Sequence, residues 1–148
     1  GRAAALAMAG LENDVPRIRA LRDRMEEGIM SGIPEVTRNG AREPRTPNTS
    51  NLSFAGCEAE AILLMLDRVG ICASSGSACT TGSLAPSHVL MAMGNTPGQS
   101  IGSARLSLSK YTTDTEVDYL LKKLPPIIRN LREASPKAAE STTQEVSP

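Results

Sequence analysis

The chain has 148 residues, enough for one domain or for part of a larger one. Hydrophobic residues make up 40% and charged residues 22%, a balance that points to a packed core rather than a disordered chain. The 16 basic residues offset the 16 acidic ones, so no net field draws in nucleic acid or an anionic membrane. Phe54, Tyr111 and Tyr119 are the only aromatics, too few for a base-stacking platform. The longest strictly apolar run, Ala61 to Leu66, is far short of a membrane span.

Residues 1–10 are rich in alanine with a single arginine, and Ala7-x-Ala9 only faintly imitates a cleavage signal. They read as a buried helix end, and a chain that opens inside a helix without an initiator Met is expected to be truncated. Val15, Ile18, Leu21, Met25 and Ile29 recur at intervals of three and four. Arg17, Arg19, Arg22, Arg24, Glu26 and Glu27 fill the positions between, so one stripe is buried and the charges face solvent. This helix is predicted to stop near Ser31-Gly32, before Pro34.

Asn39-Gly40 suits a tight turn, and Pro44 and Pro47 mark the following stretch as loop. Asn51 to Phe54 alternates and predicts a half-buried strand. Glu58 to Val69 predicts a well-buried helix closed by Gly70, followed by a short strand at Ile71-Cys72-Ala73. Pro86 suits the first turn of a short helix from Ser87 to Met93. Residues 95–103 read as loop. Ala104 to Ser109 alternates as a strand with Arg105 on its polar face. Thr113-x-x-Glu116 has capping-box form and opens the last helix, which Pro125-Pro126 should kink or break. From Ala134 onward the composition predicts disorder. Strands alternating with helices give an α/β or α+β fold, with helices packed on a small mixed sheet.

The chemistry-bearing residues are few. Cys57, Cys72 and Cys79 are an odd set, which argues against a disulfide framework and for a reducing, cytoplasmic setting. There is no C-x-x-C pair and only one histidine, His88, so no metal site is expected. Cys72 reads as a small core residue, and Cys57 opens a helix whose dipole favours the thiolate. Cys79 lies in Ala73 to Ser83, where all other side chains are small or polar, and is expected on an exposed, mobile loop. Two readings stay open for it: a reactive thiol, or an incidental cysteine on a Ser/Gly connector. Arg105 suits a carboxylate clamp, but on the residues alone a surface arginine on a solvated sheet face is the favoured reading. His88 is a poor base for Cys79, since no carboxylate is placed to orient it.

These residues together resemble the NifS-type cysteine desulfurases, pyridoxal-phosphate enzymes with the class V aminotransferase fold. Ile71 to Met93, reading ICASSGSACTTGSLAPSHVLMAM, resembles the family's catalytic-cysteine loop. Pro47 to Leu52 resembles the strand before it, Ser103 to Tyr111 the arginine strand, and Asp118-Tyr119 with Leu124 to Ile128 the last helix. The likeness runs from about Val15 to Pro136. It implies conversion of L-cysteine to L-alanine, with the sulfur held as a persulfide on Cys79 and passed to an iron–sulfur scaffold or another acceptor protein. It implies that Arg105 grips the substrate carboxylate, and that the protein is a homodimer.

The likeness is also partial. The only lysines are Lys110, Lys122, Lys123 and Lys137, and none follows a histidine as the family's cofactor lysine does. The chain therefore resembles only the C-terminal portion: a connecting helix at 1–33, a small domain at 34–133 with the cysteine loop at 74–83, and a tail at 134–148. Pyridoxal phosphate would be bound mainly by a missing large domain, with no cofactor-binding residue in this chain. Two other expectations are a stand-alone persulfide carrier or interaction module without cofactor, and a thiol hydrolase or cysteine peptidase that uses His88.

Overall fold

The computed structural model describes residues 1–75 and 86–135. Five helices and four strands follow in the order α1 (Arg2–Gly32), β1 (Val36–Arg38), β2 (Thr49–Phe54), α2 (Ala59–Asp67), β3 (Ser74–Ser75), α3 (His88–Ala92), α4 (Pro97–Ile101), β4 (Ser103–Ser107) and α5 (Asp114–Glu133). The strands form one sheet in the order β1-β2-β4-β3. Every described pairing is antiparallel, where a mixed sheet was expected.

The alternation of β2 and β4 decides how the sheet is covered. Leu52, Phe54, Ala104 and Leu106 are on one face and buried. Ile62 and Leu66 of α2, and Val117, Leu120, Leu124, Ile127 and Ile128 of α5, join them in one core with Leu21, Met25 and Ile29 of α1. The predicted stripe of α1 is thus the one that packs, with Val15 only half-buried at its upper end. Below Pro16 the helix changes character: residues 1–9 are exposed, including Leu6 and Met8, so the expected buried helix end is not found.

The start of α5 is as predicted. The Thr113 hydroxyl accepts from the Glu116 amide, while the Glu116 carboxylate accepts from the Thr113 amide at 2.8 Å. Those contacts hold the Glu116 carboxyl below its ordinary range. Pro125 and Pro126 do not end the helix; it runs on to Glu133. A proline inside a helix costs about 3 kcal/mol, and the buried residues on both sides of the pair, Leu120 and Leu124 before and Ile127 and Ile128 after, offset it.

Three other expectations are corrected. Residues 97–101 form α4, opened by a capping box between Thr96 and Gln99 with Pro97 at the first turn. The strand after α2 is Ser74–Ser75, not Ile71 to Ala73. Leu64 on α2 is exposed, so that helix is buried on one side only. Gly40 and Gly70 have positive φ, which explains the turn and the helix end read at those positions, and Gly94 has the same conformation after α3.

Candidate active site

The second face of the sheet is polar. Thr49, Asn51 and Ser53 of β2 share it with Ser103, Arg105 and Ser107 of β4 and Ser74 of β3. Arg105 sits at the centre: Asn51 is opposite it on one side and Ser74 on the other. It is half-buried, and its Nη2 donates to the Ser74 hydroxyl at 3.3 Å. Among the described residues no carboxylate pairs with Arg105. A guanidinium fixed on a strand, partly desolvated and without an internal anion can take an external carboxylate through two parallel hydrogen bonds.

β3 leads directly into residues 76–85, and Pro86 brings the chain back to α3. Cys79 lies in that segment, outside the described residues, and so does most of the predicted cysteine loop. His88 is described: it is exposed, at the first position of α3.

The other two cysteines depart from expectation. Cys72 is exposed, because the chain reaches the sheet only at Ser74. Cys57 is buried before α2, and its Sγ lies 3.9 Å from the Ile128 carbonyl. Burial pushes the Cys57 thiol up, against a smaller opposing effect of Arg132, so helix-dipole activation does not prevail there.

One charged cluster is not expected from the helix pattern. Arg22 and Glu26, assigned to the solvent face of α1, are both buried. Arg22 donates to the Asp23 carboxylate at 2.8 Å, to the Thr46 carbonyl at 2.9 Å and to Glu43 at 3.2 Å. Glu26 accepts from Arg45 at 2.7 and 2.8 Å, from Arg38 at 3.0 Å and from Ser50 at 2.6 Å. Burial alone would raise the Glu26 carboxyl, but the donors Arg45, Ser50 and Arg38 outweigh it and lower it to about 2. The loop before β2 covers this part of α1, and its charges, Glu43 and Arg45, are the signal that could have shown it.

Two cavities adjoin these elements. One of about 400 Å³ beside Cys72 is lined mainly by Met25, Leu106, Leu108, Val117 and Leu120, with Glu116 its only charged group. The other lies over the Glu26 cluster, where the arginines meet Asp23, Glu26, Glu27 and Glu43. Neither contains a lysine. Lys110 and Lys123 lie over the rings of Tyr111 and Tyr119, and Lys122 is exposed. Among the described residues no group of three or more metal-binding side chains converges, and no helix is long and apolar enough to cross a membrane.

Residues 1–120 match the aminotransferase class-V family profile. The chain belongs to the class V aminotransferases. These are pyridoxal-phosphate proteins, and within them this chain is a homologue of the cysteine desulfurases. It is 54% identical over 136 residues to cysteine desulfurase 2 of Trichormus variabilis, and 47% identical over the same length to cysteine desulfurase NifS of Azotobacter vinelandii. Each alignment covers 92% of this chain and 34% of the relative. A solved NifS-like protein superposes with a TM-score of 0.75 at 30% identity, over 87% of this chain and 32% of the other. The chain thus spans about a third of the length of the relatives it matches.

Proposed function

We propose that this chain is the catalytic-cysteine portion of a cysteine desulfurase, in which Arg105 binds the carboxylate of L-cysteine and Cys79 takes its sulfur. The observation that carries the reading is the placement of Arg105. It lies on the polar face of β4 with no internal anion among the described residues, beside the strand that leads into the cysteine segment. Cys79 follows Ser75 by four residues, which limits their Cα separation to about 14 Å. That short tether to the strand beside Arg105 supports the pairing of the two residues in one reaction.

The transfer balances without an outside oxidant. L-cysteine and the Cys79 thiol give L-alanine and a Cys79 persulfide: the substrate C–S bond is replaced by C–H, and an S–S bond forms. Pyridoxal phosphate supplies the electron sink for C–S cleavage in such enzymes, and in this reading it is bound outside the described residues. Residues 1–33 then form the connecting helix and 34–133 the small domain. The exposure of Leu6, Met8 and Leu11 supports a covering partner for α1. A homodimer, a cytoplasmic setting and delivery of the sulfur to an iron–sulfur scaffold or another acceptor complete this reading.

A second reading, a stand-alone persulfide carrier, is favoured by one feature: the core from α1 to α5 closes within the chain. The test is a graft of this chain in place of the matching third of the Trichormus enzyme. The desulfurase reading expects alanine release that Cys79→Ser abolishes while cofactor absorbance is kept. Undiminished sulfur transfer by that variant would remove Cys79 from the reaction. Persulfide acceptance by the isolated chain, without turnover in the graft, would favour the carrier.

A further inference from the structure

The polar face carries one row of side chains across the whole sheet. Asn39 continues β1 by one residue, its amide donating to the Asn51 carbonyl at 2.9 Å. Asn51 is opposite Arg105, and Arg105 is opposite Ser74. The row therefore reads Asn39, Asn51, Arg105, Ser74.

Hydrogen bonds orient this row from one end. Asn95, after α3, donates through Nδ2 to Asn39 Oδ1 at 2.5 Å. Asn39 Nδ2 in turn donates to Asn51 Oδ1 at 2.6 Å and to the Ser53 hydroxyl at 2.8 Å. The Ser53 hydroxyl donates to the Gln99 carbonyl at 2.8 Å, which ties the row to α4. The acceptor oxygen of Asn51 is thereby occupied. The other branch of its amide, with two N–H donors, has no acceptor among the described residues, and the residue is only half-buried. Its cross-strand neighbour is Arg105, and opposed side chains start from Cβ atoms about 4.5–5.5 Å apart.

A carboxylate offers about four acceptor positions, and a bidentate guanidinium fills two. We propose that Asn51 is a second donor to the α-carboxylate held by Arg105, with its amide turned to that task by Asn39 and Asn95. This inference rests on the substrate-carboxylate role of Arg105. An amide adds a directional donor without a second positive charge, so the pair suits one carboxylate of a small amino acid rather than a dicarboxylate.

The experiment uses the isotopically labelled 148-residue chain, titrated with millimolar L-alanine and, separately, with L-alaninamide, which lacks the carboxylate. The Arg105 guanidinium and Asn51 side-chain amide resonances are expected to shift together with L-alanine and to stay unmoved with alaninamide. Asn51→Ala should weaken the response of Arg105 about tenfold, the loss of one hydrogen bond to a charged group. Asn51→Asp keeps the acceptor for Asn39 but replaces the donor with an anionic oxygen, so it should abolish L-alanine binding with the fold retained. A shift of Arg105 whose affinity is unchanged in both variants overturns the role of Asn51 and leaves that of Arg105 standing. No carboxylate-dependent shift at either residue overturns both.

Discussion

Arg105 and Glu26 are both charged, the first half-buried and the second buried, and their surroundings differ. Arg105 has no internal anion among the described residues, so its charge is available to a ligand. Glu26 is enclosed by Arg38, Arg45 and Ser50, so its charge is spent on holding the loop before β2 against α1. In the grafted enzyme, Arg105→Ala should raise KM for L-cysteine about 100-fold, in the range of a lost charge-assisted pair. Steady-state kinetics check it, and an unchanged KM would return Arg105 to a structural role. For Glu26 the folded-state carboxyl is lowered from 4.5 to about 2. Its stabilisation is therefore present above pH 4.5 and is lost as pH falls from 4.5 towards 2, on the order of 3 kcal/mol in all. Glu26→Gln should flatten that acid limb in urea unfolding measured from pH 6 to pH 2. A limb as steep as in the parent chain would mean that other carboxylates carry it. The sequence alone could not show this cluster. Charges between apolar helix positions ordinarily face solvent, and the partners of Glu26 lie 12 to 24 residues away along the chain.

Elements with a strong local code were legible: the stripe of α1, the alternation of β2 and β4, and the capping box of α5. α4 was legible in principle, because Thr96, Pro97 and Gln99 form a capping box with proline at the first turn. The glycines and polar residues around it outweighed that signal. β1 has only three residues and takes its pairing from β2, so its own sequence says little. The place of Cys72 depended on where β3 begins, a question of tertiary pairing. Arg105 was recognisable as a candidate from its isolation in an Ala/Leu/Ser strand, whereas Asn51 was not, because its significance lies in the cross-strand register. At the junction of α4 and β4, Gly102 is needed for space: a Cβ there would lie 2.7 Å from the Phe54 carbonyl oxygen and 2.8 Å from that of Cys57. Both obstacles are backbone. Gly102→Ala should therefore lower stability by about 1–3 kcal/mol, the usual range for overpacking, seen as a reduced denaturation midpoint. An unchanged midpoint would show that the junction can relax.

At the scale of the whole molecule, the core and the N-terminal half of α1 are distinct. The core is continuous from Leu21 to Ile128, while residues 1–9 are exposed and include large apolar side chains. Deleting residues 1–9 should change unfolding free energy by less than about 0.5 kcal/mol and should reduce self-association in sedimentation. A large loss of stability would place these residues in the fold itself. The same division fits a chain that spans about a third of its relatives' length.

The central claim is that Cys79 receives the sulfur, and mass spectrometry of the grafted enzyme after brief exposure to L-cysteine tests it most directly. Trypsin cleavage after Arg68 and Arg105 places Cys72 and Cys79 on one peptide, so fragmentation must locate the added atom. One extra sulfur on Cys79, with Cys72 unmodified and alanine released, is the expected result. Alanine release with the sulfur on Cys72, or on neither cysteine, would contradict the account.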